Sequence, residues 1–290
     1  MDILNISPDE LDYVEAVCLD PSIRPKWRQE MKPFMQERKS WLQRMMQKEL
    51  QIIVALEEPE IAINALGSKK AKHRKMIIRG KFPLGLIEYL PIQYVLEPVI
   101  GEYSLFINCI WILPPFWRKG VAKTLVNKAI EDAQRYGGIS VLAYEGDKWF
   151  GWFPMMPSEF FKKFGFIELD RDGSRLLLHL DLGGGETPTL IHPKTRTIDT
   201  TTQMKIEALH NCQCPWSGWM IQRLLHKMKK SNINVELINT DDRKVIAEYG
   251  LSRGICINGI PIIKRLASWK EIQSTIKAMK RKNELVKNMS

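Results

Sequence analysis

Two short stretches of this chain combine residue types that can hold or attack a ligand. The first, "ILPPFWRKGVAKT", sets Gly120 among Arg118, Lys119 and Lys123, with the hydroxyl of Thr124, at the point where a helix begins. The first turn of a helix carries N–H groups without intrahelical partners and the positive end of the helix dipole. Such a turn suits an anion, and several convergent donors suit a pyrophosphate. Gly120 lets backbone and ligand approach closely, and the small Ala122 keeps the next turn open. A plain basic helix start is the competing reading. The second stretch, "HNCQCPWS", places Cys212 and Cys214 in a turn before another helix. A thiol at a helix N-terminus is stabilised as the thiolate and gains nucleophilicity. Three readings stay open there: thiol chemistry, a soft metal held by His210, Cys212 and Cys214, or a structural turn with no chemistry.

The elements that must position these groups follow from periodicity. The run before Gly120 is apolar and β-branched, and Val121, Leu125, Ala129 and Ala133 recur at helical spacing after it. Upstream, strands are expected at Ile3–Ile6, Gln51–Leu56, Gly85–Leu90 and Ser104–Leu113. Helices are expected from about Asp9 and over Lys26–Lys48, where Trp27, Met31, Phe34 and Met35 share a face. Downstream come a strand at Ser140–Tyr144, a helix at Ser158–Lys163 and a strand pair within Phe166–Leu182 split by "RDGS". Residues 183–203, rich in Gly, Thr and Pro, read as a linker or a loosely packed crossing strand. After them the order is strand (Lys205–Leu209), helix (Gly218–Lys230), strand (Asn234–Asn239) and helix (Arg243–Tyr249). A hairpin turning at Asn258-Gly259 and a helix from about Ser268 complete it. The expectation is two α/β or α+β domains, 1–182 and 204–290, joined by 183–203.

Bulk properties narrow the setting. The 290 residues suffice for two cores, and 44% hydrophobic with 26% charged residues is ordinary for a soluble protein. No apolar run reaches the ~20 residues that span a bilayer. Five cysteines and an N-terminus without a secretory pattern place the chain in a reducing cytoplasm. The net charge of +10 gathers at Lys69–Lys81 and Lys277–Lys287, read as a solvated hairpin and a solvated final helix. Aromatic residues do not interleave with these charges, and no base-reading motif is present, so neither nucleic acid nor membrane is expected as a partner.

Gly120-Val121-Ala122, after a long strand and "ILPPFWRK", resembles the acetyl-CoA signature Gln/Arg-x-x-Gly-x-Gly/Ala of the GNAT acetyltransferase superfamily. "FFKKFGF", Phe160 to Phe166, resembles that superfamily's second landmark, an aromatic-x-x-x-Gly-Phe helix end before the last strands. The resemblance implies an N-acetyltransferase using acetyl-CoA as cosubstrate and a small-molecule or peptide amine as acceptor. It implies that Ile110, Trp111 and Ile112 pair by backbone with the pantetheine arm where the sheet splays. Residues 118–124 (Arg118, Lys119, Gly120, Val121, Ala122, Lys123 and Thr124) would wrap the pyrophosphate. Trp117 stands where the signature has Gln or Arg. The tyrosine acid frequent in the family is replaced by Phe161, which leaves Tyr144 and Glu145 as the nearest catalytic candidates and Asp147 as a weaker base. The aromatic insert with Trp149, Phe150, Trp152 and Phe153 is either a plug on the core or a wall of the acceptor pocket. If a wall, it suits an acceptor with an apolar part or a cation.

Cys214-Pro215-Trp216-Ser217 resembles the Cys-Pro-aromatic-Cys/Ser site of glutaredoxins, and the resemblance implies a thioredoxin-like second domain. Ser217 stands at the resolving position, so only Cys212 could resolve Cys214, through a strained ring. Ser252-Arg253-Gly254 stands where the family has a cis-proline. The whole chain is similar to the bacterial YoaP-type acetyltransferases, a resemblance that names no acceptor and no oligomeric state. The alternative function is a thiol-redox or metal-handling protein using Cys212 and Cys214, with the first domain as an acyl-CoA-binding module.

Overall fold

The computed structural model describes residues 1–67, 70–146, 148–149, 153–197, 204–229 and 233–289. Its elements, in chain order, begin with β1 (Asp2–Asn5), α1 (Asp12–Cys18), α2 (Pro25–Met46), β2 (Gln51–Glu57), α3 (Pro59–Ala65) and α4 (Lys70–His73). Then come β3 (Phe82–Pro91), β4 (Val99–Ile100), β5 (Leu105–Ile112), α5 (Val121–Ala133) and β6 (Gly138–Tyr144). These are followed by β7 (Lys148–Trp149), β8 (Phe153–Pro154), α6 (Ser158–Lys162), β9 (Ile167–Asp172), β10 (Arg175–Asp181) and β11 (Thr189–Leu190). The last part holds β12 (Lys205–His210), α7 (Pro215–Met228), β13 (Asn234–Asn239), α8 (Arg243–Tyr249), β14 (Gly254–Ile257), β15 (Ile260–Ile263) and α9 (Trp269–Met289).

The chain divides into two compact units. The first comprises residues 1–95, 99–145 and 156–189, and the second residues 96–98, 146–155 and 190–290. The first unit is built on a seven-stranded sheet of order β1-β2-β3-β5-β6-β10-β9. Every neighbouring pair is antiparallel except β5 with β6. The strands β2, β3 and β6 read as continuous apolar runs and are buried nearly throughout, as expected for a sheet covered on both faces. Helix α5 buries Val121, Leu125, Val126, Ala129 and Ala133, the stripe its spacing prescribes, and packs on β3 and β5.

Helix α2 starts at Pro25, where a missing N–H costs nothing, and continues through Pro33. Its buried face runs Met31, Met35, Arg38, Trp41 and Leu42; of the expected stripe Met31 and Met35 are buried and Trp27 and Phe34 half-buried, and the face continues toward the C-terminus through an arginine. Arg38 is buried in that face and forms an ion pair with Glu88 of β3, itself fully buried. Asn108 of β5 donates from Nδ2 to the other oxygen of Glu88 at 3.4 Å. Burial holds the Glu88 carboxyl above its ordinary range and the Arg38 charge opposes that. The basic stretch Lys69–Lys81 is not the expected hairpin. It holds α4, a 3-10 turn at Arg74–Met76 and one bridge between Ile78 and Lys81. His73 in it is buried against Asp20 at 3.1 Å, so only part of that charge run is solvated.

The second unit has a four-stranded sheet, β13-β12-β14-β15, with β12 and β13 parallel and the other neighbours antiparallel. Helix α7 lays Trp219, Met220, Ile221 and Leu224 inward and packs against β12 and α9. The β14–β15 turn uses Asn258 and Gly259 at φ of 52° and 75°. Both central residues of such a two-residue turn need a positive φ, which Asn and Gly tolerate best.

The Arg38–Glu88 pair carries a clear expectation. Arg38→Met strands a buried carboxylate and should cost about 3–5 kcal/mol in urea denaturation, whereas Arg38→Met with Glu88→Leu should recover most of it. An Arg38→Met variant as stable as the parent at neutral pH would show that the pair does not organise this core.

Candidate functional site

The sheet of the first unit comes apart at one place. Strand β5 pairs with β6 only through Leu105, Ile107 and the residue between them, Phe106, set against Ile139–Val141. Beyond Ile107 the two strands run on without pairing, β5 to Ile112 and β6 to Tyr144. The cause is visible in the β3 register. Cys109 faces Glu88 and Ile107 faces Tyr89, so Asn108 is an extra residue, a β-bulge. A bulge bends its strand and increases local twist, and this one sits where pairing with β6 ends.

The geometry of the gap follows from alternation along β5. The Leu113 N–H donates to the Leu84 carbonyl at 2.9 Å, so the backbone groups of Ile112 and Ile110 point the other way, into the gap. Gly85 fixes β5 on its opposite side. A Cβ there would lie 2.5 Å from the Trp111 carbonyl oxygen and 2.8 Å from the Ile112 Cα, so only glycine permits this approach. Asn108 Oδ1 is buried with no hydrogen-bond partner among the described residues. Sequence reading passed over Asn108, Glu88 and Arg38. The signal available was an asparagine, a glutamate and an arginine inside otherwise apolar runs.

At the end of β5 the chain turns through Arg118 at φ 61° and Gly120 at φ 83° into α5. Gly120 occupies the left-handed region natural to glycine, and the space where its Cβ would stand is open. A non-glycine residue such as Arg118 in that region stores strain, which concentrates at functional sites. No side chain caps the helix, so the N–H groups of Val121, Ala122 and Lys123 are left to a partner from outside it. Arg118, Lys119, Lys123 and Gly120 are exposed and the Val121 side chain is buried. Three side chains differ from expectation. The Thr124 hydroxyl donates back to the Gly120 carbonyl at 3.4 Å. Lys119 lies over the Phe116 ring at 5.4 Å. Trp117 stacks edge-on against Trp111 and donates its indole N–H to the Ile112 carbonyl at 2.6 Å. That carbonyl is therefore already engaged, while the N–H of Ile112 and both groups of Ile110 still face the gap.

Tyr144 and Glu145 alternate across the end of β6 and diverge. Tyr144 is buried, its N–H bonded to the Met156 carbonyl at 3.0 Å, with Pro157 bridged beside it. Glu145 is exposed and ion-paired at 2.9 Å with Arg171, which also holds Glu168. Phe161 is buried against Phe166. Trp149 and Phe153 are partners in the backbone register of the short β7–β8 pair, and Asp147, Phe150 and Trp152 lie outside the described residues.

In the second unit Cys214 occupies the N-cap position of α7 with extended backbone, and Cys212 and Cys214 are half-buried and outside any disulfide. The Cys212 N–H is held by Asp241 at 2.8 Å. Between the two thiols Gln213 is buried and donates to Glu97 at 3.2 Å. Glu97 also accepts from Ser252 at 2.7 Å and pairs with Arg253, which stands in the place expected of a cis-proline. Among the described residues there is no cis peptide bond. The metal reading of His210, Cys212 and Cys214 is not supported: no three His, Cys, Asp or Glu side chains among the described residues come together as ligands.

Residues 27–148 match the acetyltransferase (GNAT) family model. Among curated proteins, an uncharacterized N-acetyltransferase, YoaP, of Bacillus subtilis (strain 168) is 24% identical over 158 residues, covering 54% of this chain. The chain spans 62% of that relative's length. Among solved structures, the PaiA N-acetyltransferase of Thermoplasma acidophilum in complex with coenzyme A is 15% identical, with a TM-score of 0.38 over 62% of this chain and 98% of that one. A GNAT family acetyltransferase of Brucella melitensis in complex with acetyl-CoA is also 15% identical, with a TM-score of 0.34 over 64% of this chain and 90% of that one. No helix among the described residues is long and apolar enough to cross a membrane.

The five thiols should separate on alkylation. Burial, reinforced by the charge of Glu207, pushes the Cys256 thiol up to about 12. In the folded protein at pH 8, iodoacetamide should leave Cys256 intact while Cys212 and Cys214 are modified, as read by peptide mass spectrometry. Modification of Cys256 at the rate of Cys214 would contradict this placement.

Proposed function

We propose that this chain is an acetyl-CoA-dependent N-acetyltransferase that moves the acetyl group to a primary amine. The observation that carries the reading is the parting of β5 from β6 at Asn108, immediately before the left-handed turn at Gly120. Both lie inside the segment that matches the GNAT family. The residues present fit such a cosubstrate: the gap offers backbone groups without a strand partner, and the Gly120 turn offers open space beside unpaired N–H groups and exposed cations.

Acetyl-CoA supplies the acetyl group already activated as a thioester. Ile110 and the N–H of Ile112 pair with the amides of the pantetheine arm as an added strand, with Trp111 on the same stretch and Trp117 bracing its end. The N–H groups of Val121, Ala122 and Lys123, with Arg118 and Lys119, hold the pyrophosphate across the open Gly120, and Thr124 steadies the turn through its bond to Gly120. In the transfer the amine nitrogen bonds to the acetyl carbon, the carbon–sulfur bond breaks, and one amine proton leaves while the sulfur gains one. Tyr144, buried at the mouth of the gap, is the better placed of the two catalytic candidates for the sulfur's proton. Glu145 is exposed and committed to Arg171.

We assign residues 1–182 to this acetyltransferase domain and residues 204–290 to a thioredoxin-like accessory domain, with 183–203 as linker. The second assignment is supported by the parallel β12–β13 pair, the antiparallel β14 and β15, and a thiol at the head of α7. Free cysteines fit a cytoplasmic location. A second reading makes Cys212 and Cys214 a thiol site and the first domain an acyl-CoA-binding module. The half-buried position of both thiols at the head of α7 favours it.

Calorimetry with acetyl-CoA tests the leading reading. Gly120→Glu should remove binding, whereas Gly120→Asn, which tolerates the left-handed turn, should lose no more than about tenfold. Equal affinity of the Glu variant and the parent would end the assignment. Tyr144→Phe should slow turnover about tenfold or more with acetyl-CoA affinity unchanged, and a full rate would remove Tyr144 from the chemistry.

A further inference from the structure

Asn108 is only 7% exposed, yet its side-chain oxygen Oδ1 is buried without a hydrogen bond among the described residues. An orphaned polar atom of this kind destabilises the fold unless a donor reaches it. Packing alone does not call for it, since an apolar residue would suffice within "LFINCIWI". The other half of the carboxamide is committed. Nδ2 donates at 3.4 Å to one oxygen of Glu88, whose second oxygen is ion-paired with Arg38. A carboxylate held that way presents only acceptors, so the amide nitrogen must be the atom that faces it. The oxygen then points away from β3, toward the side on which β6 has parted from β5.

The order of residues along β5 says which ligand atoms come there. The Gly120 turn lies beyond Ile112, so an arm that leaves it and enters the gap passes Ile112 first and Ile110 next. Its far end stops beside Asn108, because pairing with β6 closes the gap at Ile107. In acetyl-CoA that far end is the thioester, which carries a carbonyl oxygen and a sulfur and no hydrogen-bond donor. The group that brings N–H donors to this point is the amine that attacks.

On the footing of the acetyl-CoA reading above, we propose that Asn108 Oδ1 accepts an N–H of the incoming amine and so aims the nitrogen lone pair at the acetyl carbon. A carboxamide oxygen is not a base, so Asn108 takes no proton and contributes orientation alone. Arg38 balances the charge of Glu88, and a buried ammonium would go unpaired. The amine is therefore received neutral, the form that has a lone pair to give. Arg38 and Glu88 are positioning residues behind it: they keep the oxygen outward.

The test needs no identified acceptor. Two inert thioethers, S-(2-hydroxyethyl)-CoA and S-propyl-CoA, match in length and differ by a neutral terminal donor near the place of the nucleophile. Calorimetry on the full chain should find the hydroxyethyl thioether bound about tenfold tighter. Asn108→Leu should erase that preference while S-propyl-CoA keeps its affinity within about threefold. Equal affinity of the parent chain for the two thioethers would overturn the proposal with no variant needed. An equal loss of both in folded Asn108→Leu would also overturn it, being the result expected if Oδ1 holds an amide of the pantetheine arm. Failure of both thioethers to bind the parent would instead remove the acetyl-CoA reading, and the role of Asn108 with it.

Discussion

The structure of the first unit depends on one constraint: a backbone group removed from water must find a partner. Strand β5 satisfies β3 along its whole length, yet it leaves β6 after three residues. The groups of Ile110 and Ile112 that face the gap are thus exposed by design of the bulge at Asn108. A sheet edge inside a sheet is a place where an extended ligand can be added as a strand. Gly85 on one side and the Gly120 turn at the end keep that edge in position, the first by permitting close approach, the second by reversing the chain without a side chain in the way.

Beneath the gap lies a polar group arrangement that an apolar core would not need. Arg38, Glu88 and Asn108 come from α2, β3 and β5, and they meet where the bulge begins. Burying such a pair brings little net stability, so its value lies in specifying which residues meet. With Glu88 fixed by Arg38, Asn108 is held at one position along β5, and the site of parting is held with it.

The second unit uses the same device around its thiols. Glu97 collects Gln213, Ser252 and Arg253, so one carboxylate ties the cysteine turn to the loop before β14. Asp241 anchors the Cys212 N–H from the end of β13. The turn is therefore held from two sides while both thiols stay half-buried. Arg253 brings into that loop a charge that must be paired, and Glu97 pairs it.

Local pattern was enough for most elements. The stripe from Val121 to Ala133, the alternation around Asn258-Gly259 and the apolar runs of β2, β3 and β6 are legible because they express short-range periodicity and turn chemistry. The Gly120 turn was legible for the same reason, since helix starts and glycine geometry are local. The buried His73 in the basic stretch, the burial of Arg38 in the α2 face and the engagement of the Ile112 carbonyl by Trp117 were not. Each depends on a partner far away in sequence, Asp20 for His73 and Glu88 for Arg38, or on a side chain folding back over five residues. The sequence by itself determined most strands, helices and turns, though neither α3 nor the helical turns of the basic stretch. Tertiary structure decided which polar groups are paired and which are left facing a gap, because pairing in a low-dielectric interior is set by distance in space and not by separation along the chain.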